Sequence, residues 1–378
     1  MSKFLITCGG TGGHLAPGIA VAERLEADGH TCCLIISRKE VDSRLIQGYP
    51  DLTSVRVPGS PLSAHPVAFV RFLVGQMGLF AFAFRFVRRE RPDAVVAFGG
   101  FITTGFAVAA FCHRISLILH ESNRKPGRAI RLLHPLADRV YLPEGVSLKN
   151  APRRVVRHLG FPLRECVKLT ARSAARRELG IDNTGKVLVI LGGSQGAQAL
   201  NDWIREGLKR FAREGINVCC LTGLGNGESG VTELISADGR RVKGIFQPFS
   251  DQMGDLLSAA DLVVARAGAG TIAEVVHCRV PAILVPYPYS ADEHQLENAR
   301  FLERQGGCVV VEQSRLQELH AEVMDVIFND WLLAKLRKNL SRLRGGDFCE
   351  QIVADIQRIV EDRGGGIENP QRGARIPA

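Results

Sequence analysis

One repeated event constrains this chain more than any other feature. A short, branched, nearly continuous apolar run ends in a glycine pair, and a helical pattern follows. It occurs at Gly9-Gly10, again at Gly99-Gly100, and again at Gly192-Gly193. The first half holds candidate strands at Phe4–Cys8, Thr31–Ile36, Ala94–Phe98, Ser116–Leu119 and Arg139–Leu142. The second half holds them at Val187–Leu191, Asn217–Leu221, Leu262–Ala265, Ala282–Val285 and Cys308–Val311. Runs of this kind, separated by helical patterns, fit parallel strands covered on both faces. The expected fold class is therefore α/β, with two doubly wound parallel-sheet domains whose strand tips face a common cleft. A chain of 378 residues is long enough to bury two cores. Gly160-Phe161-Pro162 interrupts both patterns and reads as the linker. A long helical tail is expected after Asn329, and the Gly-, Pro- and Arg-rich stretch from Arg363 reads as disordered.

Lys and Arg exceed Asp and Glu by 48 to 39, a net charge of +9. That excess suits anionic partners, whether phosphorylated ligands, nucleic acid or an anionic membrane surface, without choosing among them. None of the ten cysteines forms a two-residue-gap pair, and most lie in apolar runs, as reduced thiols acting as small hydrophobes do. Lys3 leads directly into a strand and a glycine turn rather than a cleavable apolar leader, so the cytosolic side is expected. Val67 to Val87 is almost wholly apolar, interrupted by Arg71 and Arg85 and followed by Arg88, Arg89 and Arg91. The uncharged part falls short of the roughly 20 residues a bilayer needs. It reads either as a buried helix or as a basic, aromatic helix resting on a membrane face.

The first glycine loop, Gly9-Gly10-Thr11-Gly12-Gly13-His14, precedes a helix expected to start near Pro17 and to close at Gly29. Backbone amides there can approach an anion, helped by the helix N-terminus. The loop is neither a dinucleotide fingerprint, since Leu15 fills the last glycine position, nor a P-loop. His14 at its mouth can take a proton from an acceptor hydroxyl, or can simply cap the helix or bond the loop. The loop Gly192-Gly193-Ser194-Gln195-Gly196-Ala197 offers a serine hydroxyl to a phosphate oxygen. Ala265–Glu274 places small residues at a helix start, where Glu274 can accept from vicinal hydroxyls or serve as a helix-dipole carboxylate. Gln295 and Asn298 are placed to meet sugar hydroxyls or to cap. No two Asp residues stand two apart, so the Asp-x-Asp metal clamp is missing. A leaving diphosphate would then rest on loop amides, helix N-termini and Arg164 or Ser194.

Taken together, Gly9–His14 with Pro17-Gly18, Gly99-Gly100, His120-Glu121-Ser122-Asn123, Gly160–Arg164, Gly192–Ala197, Ala265–Glu274 and Gln295–Ala299 resemble the MurG family. These are undecaprenyl-diphospho-muramoylpentapeptide β-N-acetylglucosaminyltransferases, and the resemblance runs from Lys3 to about Val360. It implies a GT-B fold and inverting transfer of N-acetylglucosamine from UDP-N-acetylglucosamine to the 4-hydroxyl of lipid I, giving lipid II. It implies an N-terminal acceptor and membrane-facing domain over residues 1–160 and a donor domain over 164–345. A helix over 346–362 would return to the first domain, ahead of a disordered tail over 363–378. By the same resemblance Thr11, Gly12, Gly13, Asn123, Arg164, Ser194, Ser250, Ala269, Gly270, Thr271, Glu274 and Gln295 contact UDP-N-acetylglucosamine. Glu274 would hold the ribose, Gln295 the sugar, and backbone near Phe249-Ser250 the uracil. His14 would be the catalytic residue, with Glu121 a competitor, and neither a metal nor another cofactor would be needed. The Val67–Arg91 segment would meet an anionic surface at the cytoplasmic face of the plasma membrane. Partners would be lipid I and proteins of the cell-wall and division machinery, not nucleic acid.

The sequence departs from the family where Phe161 replaces a usual Asn, where Ser250 stands for an isoleucine, and where Glu297 stands for an aromatic residue. Two other readings stay open at this stage: a UDP-N-acetylglucosamine 2-epimerase on the same architecture, and a non-catalytic UDP-sugar-binding protein. An NAD-dependent oxidoreductase is disfavoured by the glycine loops.

Overall fold

The computed structural model describes residues 1–10, 12–58, 66–181, 184–193, 196–224, 229–343 and 347–364, with the side chains of 66–74 and 364 excepted. The first half runs β1 (Lys3–Thr7), α1 (Gly12–Ala27), β2 (Thr31–Ser37), α2 (Glu40–Gln47), β3 (Ser54–Val57) and α3 (Pro66–Glu90). It continues with β4 (Ala94–Ala97), α4 (Thr103–Cys112), β5 (Ser116–His120), α5 (Arg128–Leu133), β6 (Arg139–Leu142) and β7 (Val156–His158). The second half runs α6 (Arg172–Glu178), β8 (Lys186–Leu191), α7 (Gln198–Arg213), β9 (Ile216–Leu221), β10 (Gly230–Ile235), β11 (Arg241–Gln247) and α8 (Met253–Ala259). Then come β12 (Leu262–Ala265), α9 (Ala269–Cys278), β13 (Ala282–Leu284), α10 (His294–Arg304), β14 (Cys308–Val310), α11 (Leu319–Ile327), α12 (Asp330–Leu340) and α13 (Cys349–Gly364).

Each half is a doubly wound domain. The first sheet has the order β3-β2-β1-β4-β5-β6-β7 and the second β10-β11-β9-β8-β12-β13-β14. Every pairing is parallel except the β10–β11 hairpin at the edge of the second sheet. In each sheet the order reverses between a first strand and its neighbour, β1 and β4 or β8 and β12, which opens a crevice at the strands' carboxyl ends. The central strands, β1, β4 and β5 in the first sheet and β8, β9 and β12 in the second, are buried on both faces, as their unbroken apolar runs require. In the first domain Leu5, Val95 and Leu117 meet α3, α4 and α5 on one side. Phe4, Ile6 and Val96 meet α1, α2 and α13 on the other.

Two expectations are corrected here. The first helix starts at Gly12, not near Pro17, which sits inside it. A proline there deprives only the Gly13 carbonyl of its partner, and Gly13 is exposed, so the loss is mild. The helical tail expected after Asn329 folds as two helices. Asn329 caps α12 by accepting the Leu332 N–H at 3.0 Å, and α13 is separate. Arg363 belongs to α13 and pairs with Asp138 at 2.6 Å, while residues 365–378 lie outside the described ones. The helix α13 packs on the first domain although it follows the second. Ile352, Val353 and Ile356 are buried beside α1, and Asp355 receives the Tyr141 hydroxyl at 2.9 Å and the Arg139 guanidinium at 2.7 Å.

The helix α3 divides its faces. Leu79, Ala83, Phe86 and Val87, at helical spacing, are buried against α4, whereas Met77 is 74%, Phe80 39% and Phe82 37% exposed. Among the described residues no helix is long and apolar enough to cross a membrane.

Candidate active site

The loops after β1 and β4 touch. A Cβ on Gly100 would come within 2.7 Å of the Gly9 carbonyl oxygen, and both Gly99 and Gly100 hold positive φ. This is why the sequence carries a glycine pair there: any side chain would fill the space that His14 occupies. Against those two glycines lies the His14 ring, its Nε2 3.3 Å from where a Gly99 Cβ would stand. Thr103 fixes the second loop by donating its hydroxyl to the Gly99 carbonyl at 2.6 Å. The first loop is fixed by Asp42, fully buried, which accepts the Gly10 N–H at 2.8 Å and the Ser37 hydroxyl at 2.6 Å. Lys39 donates its ammonium to the Gly10 carbonyl at 2.8 Å. Thr11, between these anchors, lies outside the described residues.

His14 is half-buried in the first turn of α1. Desolvation pushes its pKa down to about 4, against an upward pull from Asp42; His294 and Lys39 push further down. Its imidazole is therefore neutral at physiological pH, the state a proton acceptor must have. The two domains meet at this cleft, where Asn298 of the second donates to Asn123 of the first at 3.1 Å.

On the other wall, Gly268 leads into α9 with Ala269, Gly270 and Thr271 in its first turn and Glu274 one turn on. The Arg164 guanidinium spans the base of the cleft, 3.5 Å from Glu274 and donating to the Tyr49 hydroxyl at 3.3 Å. Both members of the ion pair are nearly buried, at 7% and 12% side-chain exposure. Burial raises the Glu274 pKa more than Arg164 lowers it. Arg164 is the one described cation paired with Glu274, which leaves this carboxylate lone pairs for further donors.

Asn298 joins the domains. Its side-chain oxygen accepts the Arg124 N–H at 2.9 Å, and its Nδ2 donates to Asn123 Oδ1 at 3.1 Å and to the Ala267 carbonyl at 3.3 Å. Asn123 in turn donates to Glu121 Oε1 from its backbone at 2.8 Å and its side chain at 3.1 Å. Glu121 Oε2 takes the Gly127 N–H at 2.6 Å. Both Glu121 oxygens thus hold the loop that carries Asn123, an arrangement that leaves His14 as the stronger candidate for proton transfer. Gln295 accepts the Tyr287 N–H at 2.9 Å, so its carbonyl end is spent on the loop before α10, while its amide end has no hydrogen bond among the described residues. Ser250 accepts the Gln252 N–H at 3.1 Å at the start of α8. Phe161 stacks beneath α9, its ring 3.1 Å from where a Gly270 Cβ would stand. The loop after β8 turns through a Gly196 N–H to Gly193 carbonyl bond of 2.9 Å; Ser194 lies outside the described residues.

The site thus brings together His14, Asn123, Arg164, Glu274 and the first turn of α9. Asp42, Lys39, Tyr49 and Arg124 escaped the sequence reading. For Asp42 the signal was present, an acidic residue in the first turn after β2, but nothing local says that its partner is Gly10. Among the described residues no group of three or more His, Cys, Asp or Glu side chains could hold a metal ion.

Comparison with known proteins agrees on one family. The glycosyltransferase family 28 N-terminal domain matches residues 4–142 and its C-terminal domain residues 187–347. A UDP-N-acetylglucosamine–N-acetylmuramyl-(pentapeptide) pyrophosphoryl-undecaprenol N-acetylglucosamine transferase of Opitutus terrae is 50% identical over 364 residues, 96% of this chain and 97% of that protein. The crystal structure of Acinetobacter baumannii MurG matches with a TM-score of 0.70 at 23% identity, over 95% of this chain and all of that one. A Listeria monocytogenes protein described as a UDP-N-acetylglucosamine 2-epimerase shares the fold, with a TM-score of 0.62 at 14% identity over 95% of this chain and 97% of that one.

Proposed function

We infer the activity from one premise: this chain belongs to glycosyltransferase family 28, on the branch of its N-acetylmuramyl-(pentapeptide) pyrophosphoryl-undecaprenol N-acetylglucosamine transferases. It transfers N-acetylglucosamine from UDP-N-acetylglucosamine to the 4-hydroxyl of the N-acetylmuramoyl unit of lipid I, forming lipid II. The single observation that carries this is half-identity with such a transferase along nearly the whole length of both chains.

The roles of the residues follow from the cleft. His14, neutral and seated on Gly99 and Gly100, accepts the proton of the acceptor hydroxyl as that oxygen attacks the anomeric carbon. The glycosidic bond to UDP breaks on the opposite side, inverting the configuration. Negative charge gathers on the diphosphate, where the N-terminus of α9, the loop after β8 and Arg164 can neutralise it. Glu274 accepts the ribose hydroxyls with the oxygen lone pairs that Arg164 leaves unused. The Gln295 amide reaches the sugar, and the loop of Phe249 and Ser250 borders the uracil. No metal is needed, because a helix dipole, loop amides and a guanidinium already supply the positive field.

The exposed face of α3, with Met77, Phe80 and Phe82 beside Arg85, Arg88 and Arg89, supports a peripheral seat on an anionic membrane surface at its cytoplasmic face. Such a seat brings the N-terminal domain to a lipid-anchored acceptor.

The deciding assay follows release of UDP from UDP-N-acetylglucosamine with and without a short-chain lipid I analogue, in the presence of a chelator. Release that requires the acceptor and survives the chelator is expected. Epimer formation without acceptor would replace the transferase reading, and loss of turnover in chelator would remove metal independence. Charge reversal at Arg85, Arg88 and Arg89 should weaken flotation with anionic vesicles; unchanged flotation would return α3 to a purely structural role.

A further inference from the structure

The cleft lies at the carboxyl ends of β8 and β12. At their opposite ends a cavity of about 640 Å³ opens between α6, the start of β8 and α12. Because β8 is six residues long, this cavity stands roughly 20 Å from the glycine loop at about 3.3 Å per residue. Four cations, Arg172, Arg176, Lys186 and Arg337, line it together with two carboxylates, Asp261 and Asp330.

Those charges are unequally matched. Asp261 is buried and saturated: Arg172 pairs with Oδ1, while Oδ2 takes Arg176 at 2.7 Å and the Val187 N–H at 2.7 Å. Arg176 also donates to the Gly185 carbonyl at 2.9 Å, so it is held as part of the floor. Lys186 reaches Asp330 at 2.8 Å, but the Asp330 side chain is 86% exposed, and water screens the pair. Arg337 lies on the same face of α12 as Asp330 and Leu333, half-buried and without a counter-ion among the described residues. Its desolvation disfavours the charged form, and Arg172 adds repulsion against the pull of Asp261 and Asp330. The fold therefore holds an excess of two positive charges in a concave wall, with the least compensated guanidinium half out of water. Guanidinium forks in such a setting match the oxygens of a phosphate.

We propose that this cavity is a second anion site, which takes a phosphate group on Arg337 and Arg172 over the Arg176–Asp261 floor, independently of the nucleotide cleft. The phosphate belongs either to a soluble phosphoester or to a phospholipid headgroup, and the two sources are separable by experiment. In the first arm, inorganic pyrophosphate is titrated calorimetrically into the full chain with the cleft saturated by UDP. One salt-sensitive equivalent is expected, weakened about tenfold or more in Arg337→Gln, the fold-change that one charge-assisted hydrogen bond supplies. Arg172→Gln, whose side chain is 44% exposed, provides the same reading should Arg337→Gln fail to fold. In the second arm, flotation with phosphatidylglycerol vesicles is compared with phosphatidylcholine vesicles. Binding lost in the variants there, without heat from pyrophosphate, assigns the site to a lipid headgroup. No binding in either arm, or binding indifferent to both substitutions, overturns the proposal.

Discussion

Replacing Glu274 by Gln removes a carboxylate that is 12% exposed, paired with Arg164 at 3.5 Å, and otherwise open to the cleft. Two consequences follow, and they can be read separately. The first is structural. Arg164 is 7% exposed and loses its counter-charge, retaining the Tyr49 hydroxyl at 3.3 Å. Breaking a buried ion pair on one side costs about 3–5 kcal/mol. Because the pair lines an open cleft, the lower end or less is expected in chemical denaturation. The second is functional. A hydroxyl donating to a carboxylate contributes about 1.5–3 kcal/mol, and to a neutral amide about half as much. Counted over the two ribose hydroxyls the loss is about 1.5–3 kcal/mol, so the variant should bind UDP roughly 10- to 100-fold more weakly. The decisive comparison uses UDP and 2′-deoxy-UDP, measured by calorimetry on both proteins. The parent should discriminate between them about tenfold or more, and Glu274→Gln should discriminate far less. If the variant keeps the parent's preference for the 2′-hydroxyl, Glu274 does not hold the ribose, and the reasoning from its unfilled lone pairs fails.

His14→Ala should lower kcat by about 10²- to 10⁴-fold while leaving UDP affinity within about twofold, since the nucleotide rests mainly on the other wall; equal losses in both would make His14 a binding residue. His14 and His120 both have pKa values pushed down to about 4 by burial. The unfolded chain takes up their protons from about pH 6.5 and the folded chain only near 4, so stability is present above 6.5 and lost as pH falls through that window. Between pH 7 and 5 each should cost about 2 kcal/mol, and His120→Gln should flatten the pH dependence of the denaturation midpoint. Gly100→Ala combines positive φ with a Cβ 2.7 Å from the Gly9 oxygen, whereas Gly29→Ala has similar φ and open space. The latter should lose about 1–2 kcal/mol of stability and no activity, the former more stability and most of its turnover; parity between them would mean that the two loops do not depend on their contact.

Much of this molecule is written locally. The unbroken apolar runs at Val187–Leu191 or Leu262–Ala265 allow little but a strand buried on both faces, and Gly99 and Gly100 take a backbone that other residues resist. Strand, turn, helix and cleft-facing loop were legible for that reason. The strands that escaped, β3, β7, β10 and β11, mostly lie towards sheet edges, where exposure breaks the apolar run; β10 is exposed along almost its whole length.

What only the tertiary structure decided are the pairings whose members no local rule relates. Asn298 meets Asn123 across 175 positions, and α13 turns back from the second domain to bury Ile352 and Ile356 under α1. The neutrality of His14 is of the same kind, since it arises from burial, with Lys39 and His294 pushing the same way and Asp42 opposing them. Steric preference acts within a few residues and can be read along the chain. Desolvation and Coulomb interaction act through space, and they take definite values only once the two domains have closed on each other.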